Sequence, residues 1–508
     1  MTSSQYMCII SLILLGILAL ASWEAAGVSA QTGTWTEAVN ISQTSNASWF
    51  PDLAVDSTGN VHVIWCETTH LEGGGENEQV YYSMWDGQTW SMPNDIVPPS
   101  PDIIRNAIAA DQMGNLHILF GGSVPSIGQL TIFHQKVLVK EAWSAAQWSA
   151  PHRISQGSSY MGDIAIDSKG AIHVIYDDRV CAGEIEPETC YSDIFYRHST
   201  DGGQTWSYPI NLFRSPATGS SRAQMEIDGS DIIHVVWDEG WDRLSGQGEP
   251  IFSTYTSSLD GGESWSSPTS FSYPEGTNAQ LSVSSDGQGG VVVVWRATSR
   301  PEIYYAWSSD NGASWSPPMV IPGIFARPWS TPFDMYDMAT DSGGHVHLVV
   351  VGRLSPEEDR LGVYHLEWNG TSWSSPTAIY WGAGFPEYPK IVISEGNKLH
   401  VAWFVRETLW EGGKCEVWYS SSQSASPAQT PVPPPTSTPT PTATPAATAT
   451  PTATPYPTLA PGATALPDGL YTESDDLLQL LVGLVPVLVL VVAIFAIRFG
   501  WRRRSSGR

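Results

Sequence analysis

The sequence predicts an all-β protein: a seven-bladed β-propeller closed by an N-terminal strand, followed by a Pro/Thr-rich stalk and one C-terminal transmembrane helix. Three observations predict this fold. A strand–turn–strand unit recurs seven times, a tryptophan marks each unit, and both chain ends differ in composition from the rest. The predicted domains are a signal peptide at 1–30, the propeller at 31–422, the stalk at 423–476, the transmembrane helix at 477–497 and a basic cytoplasmic tail at 498–508.

The N-terminal end carries an apolar run, MCIISLILLGILALAS, at residues 7–22. The small residues GVSA precede Gln31 and offer a cleavage site after Ala30. This combination is typical of a secretory signal peptide. The residues before the run include neither lysine nor arginine, so an uncleaved anchor is the alternative.

Seven copies of a strand–turn–strand unit follow one another through the central region. Examples are AVDSTGNVHVIW, AIDSKGAIHVIY and ATDSGGHVHLVV, which begin at Ala54, Ala165 and Ala339. Most copies are followed by an aromatic strand such as QVYYSMW or EIYYAWS, and then by a short strand that opens with Trp and Ser. Four strands per unit, without helical periodicity between them, are what a β-propeller requires.

Tryptophans count the same units independently. Their intervals are 50 to 59 residues, and they stand at Trp35, Trp90, Trp148, Trp206, Trp265, Trp315 and Trp373. The first one precedes any first strand, whereas the last unit ends at EVWYSSS without a fourth strand of its own. We therefore predict that an N-terminal strand completes the seventh blade and leaves no exposed edge.

A Ser-x-Asp-x-Gly-x-x-Trp box lies between the third and fourth strands of three units, as STDGGQTW, SLDGGESW and SSDNGASW. The Asp carboxylate can accept backbone N–H groups of its own turn, the glycine permits a positive φ, and the Trp ring can pack between sheets. None of these roles needs a substrate. We predict a structural role for the box residues Ser199, Asp201, Gly203, Trp206, Ser258, Asp260, Gly262, Trp265, Ser308, Asp310, Gly312 and Trp315.

These boxes resemble the Asp-box, or BNR repeat, of the sialidase superfamily, and the resemblance covers residues 31–422. It implies that ligands bind opposite the boxes. For an enzyme it implies three arginines on the substrate carboxylate, a tyrosine nucleophile with a glutamate partner, and an aspartate acid/base. The sequence departs from the family because the Arg-Ile-Pro signature is absent and because seven units are counted instead of six blades.

Candidate functional residues lie on the unrepeated loops opposite the boxes. Acidic residues gather on the early units and basic residues on the late ones, and three arginines are spaced one per two blades. The candidates are Arg105, Asp177, Asp178, Arg222, Asp238, Glu239, Arg327, Trp329, Trp381 and Tyr388. We assign no catalytic residue among them.

No metal or cofactor is predicted. Histidines occupy one repeat position in six units, which places them too far apart to share a metal ion. A structural calcium ion is possible in such a fold, but no motif indicates one.

Four cysteines remain after the predicted signal peptide, in an oxidising compartment. Cys181 and Cys190 flank the short segment AGEIEPET and are predicted to form a disulfide. Cys66 and Cys415 form the second candidate pair, because the repeat places both on the same edge of neighbouring blades.

The C-terminal end predicts display on a membrane. No charged residue lies between Val417 and Pro467, and the Pro/Thr/Ala composition there predicts an extended stalk. The apolar run at 477–497 is long enough to cross a bilayer, and five arginines follow it. The positive-inside rule then leaves the tail in the cytoplasm, with the propeller and stalk extracellular.

The net charge of the predicted propeller limits the classes of partner that it can bind. Residues 31–422 include 46 acidic and 19 basic side chains, which disfavours nucleic acid as a partner. We expect a noncatalytic recognition module for glycans or for envelope or extracellular proteins, anchored in the cell membrane by a single pass. The alternatives are a sialidase-like exo-glycosidase and a platform for another surface protein.

Overall fold

The computed structural model describes residues 33–70, 76–100, 103–124, 129–181, 190–215, 219–242, 247–328, 334–408 and 413–434. These residues form a β-propeller of antiparallel sheets with two single-turn 3-10 segments, Val139–Glu141 and Ala145–Gln147. The predicted signal peptide and transmembrane segment, and most of the stalk, lie outside the described ranges. Within those ranges, none of the helical segments has the length and apolarity to cross a bilayer.

Each repeat contributes four strands to the propeller. Repeats 1 and 2 comprise β2 (Ala47–Val55), β3 (Val61–His70), β4 (Glu76–Trp85), β5 (Asn94–Ser100), β6 (Ile104–Ala110), β7 (Asn115–Val124), β8 (Gln129–Leu138) and β9 (His152–Arg153). Repeats 3 and 4 comprise β10 (Gly162–Ile166), β11 (Ile172–Cys181), β12 (Cys190–Ser199), β13 (Ile210–Phe213), β14 (Ser220–Ile227), β15 (Ile233–Asp242), β16 (Gln247–Ser258) and β17 (Thr269–Phe271).

The later repeats continue the same order of strands. Repeats 5 and 6 comprise β18 (Asn278–Ser285), β19 (Val291–Ala297), β20 (Glu302–Ser308), β21 (Met319–Ala326), β22 (Tyr336–Thr340), β23 (Val346–Arg353), β24 (Gly362–Trp368) and β25 (Thr377–Tyr380). Repeat 7 comprises β26 (Phe385–Ser394), β27 (Lys398–Arg406), β28 (Cys415–Gln423) and the N-terminal β1 (Val39–Asn40).

Five of the sheets are separate four-stranded blades, formed by repeats 1, 2, 3, 4 and 7. In the last of these, β1 pairs antiparallel with β28, so that Val39 lies opposite Tyr419 and Asn40 opposite Trp418. The predicted closure by an N-terminal strand is therefore confirmed.

Repeats 5 and 6 share one eight-stranded sheet, so the prediction of seven separate blades is wrong. The cause is the far end of β21, which pairs with β23 of the next repeat at Phe325–Arg353 and Ala326–Gly352. The guanidinium of Arg353 supports this joint, because its Nε donates to the Ala326 carbonyl at 3.0 Å. Five separate blades and one double sheet therefore complete the ring.

The core lies between neighbouring sheets and depends on the second strand of each repeat. Every residue of β19 (VVVVWRA) and of β23 (VHLVVVGR) is buried. Strands covered on both faces carry such near-continuous apolar runs. One cluster joins Val292 and Val294 of repeat 5 to Leu348 and Val350 of repeat 6.

Because successive strands run antiparallel, the turns within each strand 1–2 and strand 3–4 pair lie at one end, which we call the box face. The opposite end is the loop face.

At the box face, a chain of hydrogen-bonding side chains centred on a histidine recurs, and we call it the histidine relay. In repeat 4, His234 Nε2 lies 3.3 Å from Asp228 Oδ2, and its Nδ1 lies 2.8 Å from the Tyr255 hydroxyl. Tyr255 in turn donates to the Asn311 carbonyl in the next repeat's box at 3.2 Å.

The same relay starts from five other histidines. Each one hydrogen-bonds a ring of the third strand and has its other ring nitrogen within 3.5 Å of a polar side chain near the first turn, and they are His62, His117, His173, His347 and His400. Repeat 5 has Val292 at this position. The relay satisfies buried polar groups within the scaffold.

The boxes fasten neighbouring repeats. Asp201 accepts the backbone N–H groups of Gln204 and Thr205, and the hydrogen bonds from Thr205 and Ser199 hold the pKa of Asp201 well below its usual range. The Trp265 ring packs edge-on against Tyr196 of the preceding repeat with 5.0 Å between ring centroids. Trp315 does the same against Tyr255, and Trp206 against His134.

Residues 424–434 continue past β28 and cross the box face. Ser424 donates to Asp341 at 2.8 Å in repeat 6, and the Gln429 amide donates to the Glu395 carbonyl at 2.7 Å in repeat 7. Pro431 then lies against Gly59 of repeat 1, and Pro434 against Gly114 of repeat 2. This segment also borders a cavity of about 720 Å³ that is walled by first-strand turns. The packed chain thus extends beyond the last strand.

The cysteines differ in state. Cys190 is disulfide-bonded and lies opposite Cys181 in the β11–β12 register. Cys66 and Cys415 are free thiols, so the predicted bond between them is wrong. Both are buried in one apolar cluster, but Cys66 Sγ donates to Asn106 Oδ1 at 2.9 Å instead. Burial raises the pKa of both thiols.

Candidate ligand-binding site on the loop face

Five of the first strands carry a bulge near the loop face. A non-glycine residue with positive φ marks each bulge, and the residues are Phe50, Arg105, Arg222, Gln280 and Tyr388, with φ between 54° and 62°. Each lies at or beside a register shift in the pairing with the second strand. Backbone strain of this kind concentrates at functional sites, where bulges aim a side chain.

Arg105 occupies one such bulge and is buried against aromatic rings. Its guanidinium carbon lies 3.9 Å from the Phe50 ring centroid and 5.4 Å from that of Tyr388. Tyr160 lies 5.9 Å away. These distances fit cation–π contacts, which strengthen away from water.

Arg222 joins two buried carboxylates from different repeats. Its Nη1 donates to Asp238 Oδ2 at 2.6 Å, and its Nε donates to Asp334 Oδ1 at 2.6 Å. Its Nη2 also donates to Asp334 Oδ1. All three side chains are at most 2 % exposed, so this is a buried ion-pair network.

Arg327 belongs to a second, adjoining network. Its Nη1 donates to Glu387 Oε2, and Arg406 Nη2 donates to Glu387 Oε1 at 3.0 Å. Burial raises the pKa of Glu387, although Arg327 and Arg406 oppose that shift. One carboxylate is thus shared by two arginines.

Arg296 contacts neutral groups. Its Nη1 lies 3.3 Å from Met335 Sδ, and its Nη2 lies 3.5 Å from the Arg327 carbonyl oxygen. Burial, followed by repulsion from Arg327, lowers the pKa of Arg296 to about 10. The side chain therefore stays cationic at neutral pH in a site that disfavours the charge.

The three predicted arginines all interact with one carboxylate, and Arg222 contacts it directly. Arg105, Arg222 and Arg327 all interact electrostatically with Asp334. We call the guanidinium groups of Arg105, Arg222, Arg296, Arg327 and Arg406 the arginine cluster. Five cations there face the three carboxylates Asp238, Asp334 and Glu387 within the described part of the loop face. These charged side chains lie together in a protein whose net charge is strongly negative.

Tyr336 lies beside the arginine cluster. It interacts electrostatically with Arg222, Arg296, Asp238 and Asp334. Its hydroxyl is buried and has no hydrogen-bond partner among the described residues. Burial raises the pKa of Tyr336.

A cavity of about 620 Å³ opens beside the cluster between repeats 6 and 7. Its walls include the rings of Tyr380 and Trp418, whose centroids lie 5.6 Å apart, and the charged groups of Lys414 and Glu416. Arg406 belongs to both places, because it lines the cavity and donates to Glu387. Pockets of this size, with apolar walls and a few polar groups, suit small ligands.

Several predicted site residues lie elsewhere and hold loops. Asp177 accepts the backbone N–H groups of Tyr160 and Met161 at 2.7 and 2.8 Å. Asp178 accepts those of Gln156 and Gly157. Neither carboxylate hydrogen-bonds a cluster arginine among the described contacts, so both act on the connection into repeat 3.

Glu239 and Trp381 also lie apart from the cluster. Glu239 accepts Ser220 Oγ and Trp237 Nε1, both at 2.6 Å, and burial raises its pKa to about 7. Trp381 is 53 % exposed and stacks with Arg360 at 4.4 Å. Trp329 lies outside the described residues.

A lysine lies deeper among the first strands. Lys390 Nζ lies 3.8 Å from Asp337 Oδ1 and also interacts electrostatically with Asp52 and Asp163. Each aspartate accepts a backbone N–H of the next repeat, as Asp52 does from Ile108 at 2.8 Å. Burial raises the pKa of Asp52 to about 7, with Lys390 opposing. Among the residues that can be described, no group of acids, histidines and cysteines is arranged to hold a metal ion.

The sequence analysis missed Asp334, Glu387 and Tyr336. A signal was present, because Asp334 and Glu387 occupy one repeat position, seven residues before the polar residue of the first turn in repeats 6 and 7.

Comparison with known proteins identifies a family with this fold. Residues 119–401 match the family described as BNR repeat-like domain. No curated protein matches the sequence.

Solved structures with similar folds share little sequence. A protein of unknown function from Dyadobacter fermentans has 15 % identity and a TM-score of 0.47, covering 76 % of this chain and 98 % of its own. A variant of NanB sialidase from Streptococcus pneumoniae has 16 % identity and a TM-score of 0.43, covering 76 % and 70 %. A Trypanosoma rangeli sialidase in complex with sialic acid has 12 % identity and a TM-score of 0.39, covering 76 % and 57 %.

Proposed function

This chain belongs to the BNR repeat-like family, and on that premise we propose that its propeller is a noncatalytic recognition module whose loop face binds an acidic glycan. The arginine cluster would attract the carboxylate of the ligand, and the Tyr380–Trp418 cavity would hold its sugar rings. The observation that carries the proposal is the position of Arg406, which lies at the cavity wall and in the cluster at once.

The arginines support an anionic ligand. The cluster brings five guanidinium groups together, and among the described residues Arg296 hydrogen-bonds only the Met335 sulfur and the Arg327 carbonyl oxygen. A carboxylate accepts paired N–H groups from arginine in a planar geometry. A bound anion would offset the burial of the Arg296 charge.

Hydrolysis by a sialidase-like mechanism is the second candidate, and Tyr336, which interacts with Arg222 and Arg296, would be its nucleophile. A tyrosine nucleophile must pass its proton to a neighbouring base. Burial raises the pKa of Tyr336, and its hydroxyl lacks a hydrogen-bonded base among the described residues. Binding without turnover therefore fits Tyr336 better than hydrolysis does.

The same proposal includes the display of the propeller on the outside of the cell membrane. The apolar N-terminal run, the uncharged Pro/Thr-rich tract and the apolar run followed by arginines support a secreted propeller held at the cell membrane by one C-terminal helix. Its partners would be a glycan or a glycan-bearing protein outside the cell. The net charge argues against nucleic acid.

Binding can be tested with the full chain on an array of neutral, sialylated and uronic-acid glycans. We expect retention of acidic glycans and a loss of at least about tenfold in affinity for Arg406→Gln, since a charged hydrogen-bonding pair is removed. Arg300→Gln, on an exposed loop-face arginine, is the matched control and should bind normally. Equal binding by both variants would contradict the proposal.

Turnover decides between the two candidates. We expect no release of fluorophore from fluorogenic sialosides or other glycosides by the full chain. Turnover that disappears in Tyr336→Phe would establish the enzyme instead.

A further inference from the structure

An apolar groove of about 520 Å³ lies on the box face between repeats 1 and 2. Its apolar walls come from Tyr82, Met84, Met113, Leu138 and Trp143. Trp143 is 68 % exposed and Met113 63 % exposed. Contiguous exposed apolar surface of this kind marks an interaction site.

The described chain ends at this groove. Pro434 is one of its lining residues and packs so closely on Gly114 that an added Cβ there would lie 3.0 Å from the Pro434 ring. The preceding residues are held by hydrogen bonds to repeats 6 and 7. The described chain therefore reaches the groove along a path that these contacts fix.

The sequence that follows has the right chemistry. Residues 431–437 read PVPPPTS, and the chain has no charge from Val417 to Pro467, so burial in the groove would desolvate no charge. Proline fixes φ and favours an extended polyproline II conformation. Such segments bind aromatic-lined grooves with a small loss of conformational entropy.

We propose that this groove is the docking site of the chain's own segment Pro435–Ser437, in polyproline II conformation, with Trp143 as the principal contact. The chain then leaves the propeller at the box-face rim of repeats 1 and 2. This inference goes beyond ligand binding and does not depend on it.

A distance measurement tests the proposal in the full chain. Spin labels are attached at Ser437→Cys and Lys140→Cys, and Cys8 is replaced by serine. Cys66 and Cys415 are buried and stay unlabelled. Because polyproline II rises about 3.1 Å per residue, Ser437 would lie roughly 10 Å beyond Pro434, and we expect one narrow distance distribution.

Two variants should broaden that distribution. Trp143→Ala removes the groove's main wall, and Pro435→Gly removes the preset conformation without altering the propeller. Tyr208→Ala, which removes an aromatic ring that is 92 % exposed, is the matched control and should leave it narrow.

Three results would overturn the proposal: a broad distribution in the parent chain, equal widths in the parent chain and Trp143→Ala, or narrowing only at high protein concentration. The last result would assign the groove to a second copy of the chain. If Trp143→Ala fails to fold, Pro435→Gly gives the decision.

Discussion

The two ends of the propeller bury polar groups in different ways. At the box face, a histidine bonds a tyrosine or histidine ring of the third strand, and this arrangement recurs in six repeats. At the loop face, the arginine cluster occurs once and draws residues from several repeats. The relays of repeats 3 and 4 also hydrogen-bond the box of the next repeat, whereas the cluster brings Arg105 of repeat 2 together with residues of repeats 4 to 7. Repetition therefore marks scaffold here, and the unrepeated assembly marks the candidate site.

Loss of Arg222 should have the largest effect on stability. Arg222→Met would leave Asp238 and Asp334 buried without their shared cation, and breaking such a pair costs about 3–5 kcal/mol. Chemical unfolding of the purified chain measures it. Arg300→Met, at an exposed arginine, should change little. Equal midpoints for both variants would mean that the cluster does not hold the ring together.

Acid should weaken the box face through its buried histidines. Burial lowers the pKa of His400 to about 3, against about 6.5 in an unfolded chain. The folded state therefore resists protonation, and this contribution to stability is complete above pH 6.5 and is lost as the pH falls toward 3.

His400→Gln should consequently lose about 2 kcal/mol less stability than the parent chain between pH 7 and pH 5. Unfolding curves at the two pH values measure the difference. His152→Gln, on an exposed histidine, should follow the parent chain. Parallel pH profiles for His400→Gln and the parent chain would argue that His400 is protonated in the folded state.

Tyr255→Phe tests one relay that joins two repeats. Its hydroxyl lies 2.8 Å from His234 and donates to the Asn311 carbonyl, so its removal leaves buried polar groups and should cost about 1–2 kcal/mol. Thermal unfolding measures this, and glycan binding should not change. Tyr208→Phe is the exposed control. A binding defect in Tyr255→Phe would contradict the assignment of a purely structural role to the box face.

Asp201→Ala should have the smallest effect. The Asp201 carboxylate holds its own exposed turn, so we expect a slightly lower unfolding temperature and normal ligand binding. Differential scanning calorimetry and the glycan array provide the two readouts. A stable variant without binding would assign the box a functional role.

The repeated features could be predicted from the sequence because each one is local. The box residues and the strand closure by β1 follow from spacing alone. The double sheet could not be predicted, since it depends on two residue pairs between β21 and β23. The free state of Cys66 was missed for a similar reason, because its partner Asn106 belongs to the neighbouring repeat.

The candidate site was predicted in part. Spacing indicated that Arg105, Arg222 and Arg327 could converge. Arg222 hydrogen-bonds Asp334, and the other two arginines interact with Asp334 electrostatically. Asp177 and Asp178 were chosen because acids accumulate on that loop, but they bind backbone amides nearby. Composition cannot distinguish a carboxylate that folds its own loop from one that meets an arginine across the ring.

The path of residues 424–434 has a mechanical consequence. The ring is closed where the N-terminal segment pairs with β28, through the β1 residues and through further hydrogen bonds between residues 33–42 on one side and β28 on the other, and a force applied directly to the end of β28 would load that seam. Instead, the chain beyond β28 is fastened to repeats 6 and 7 and then packs on repeats 1 and 2. A pull from the C-terminal side is therefore shared as shear across both sides of the seam, and the closure is spared until those contacts give way.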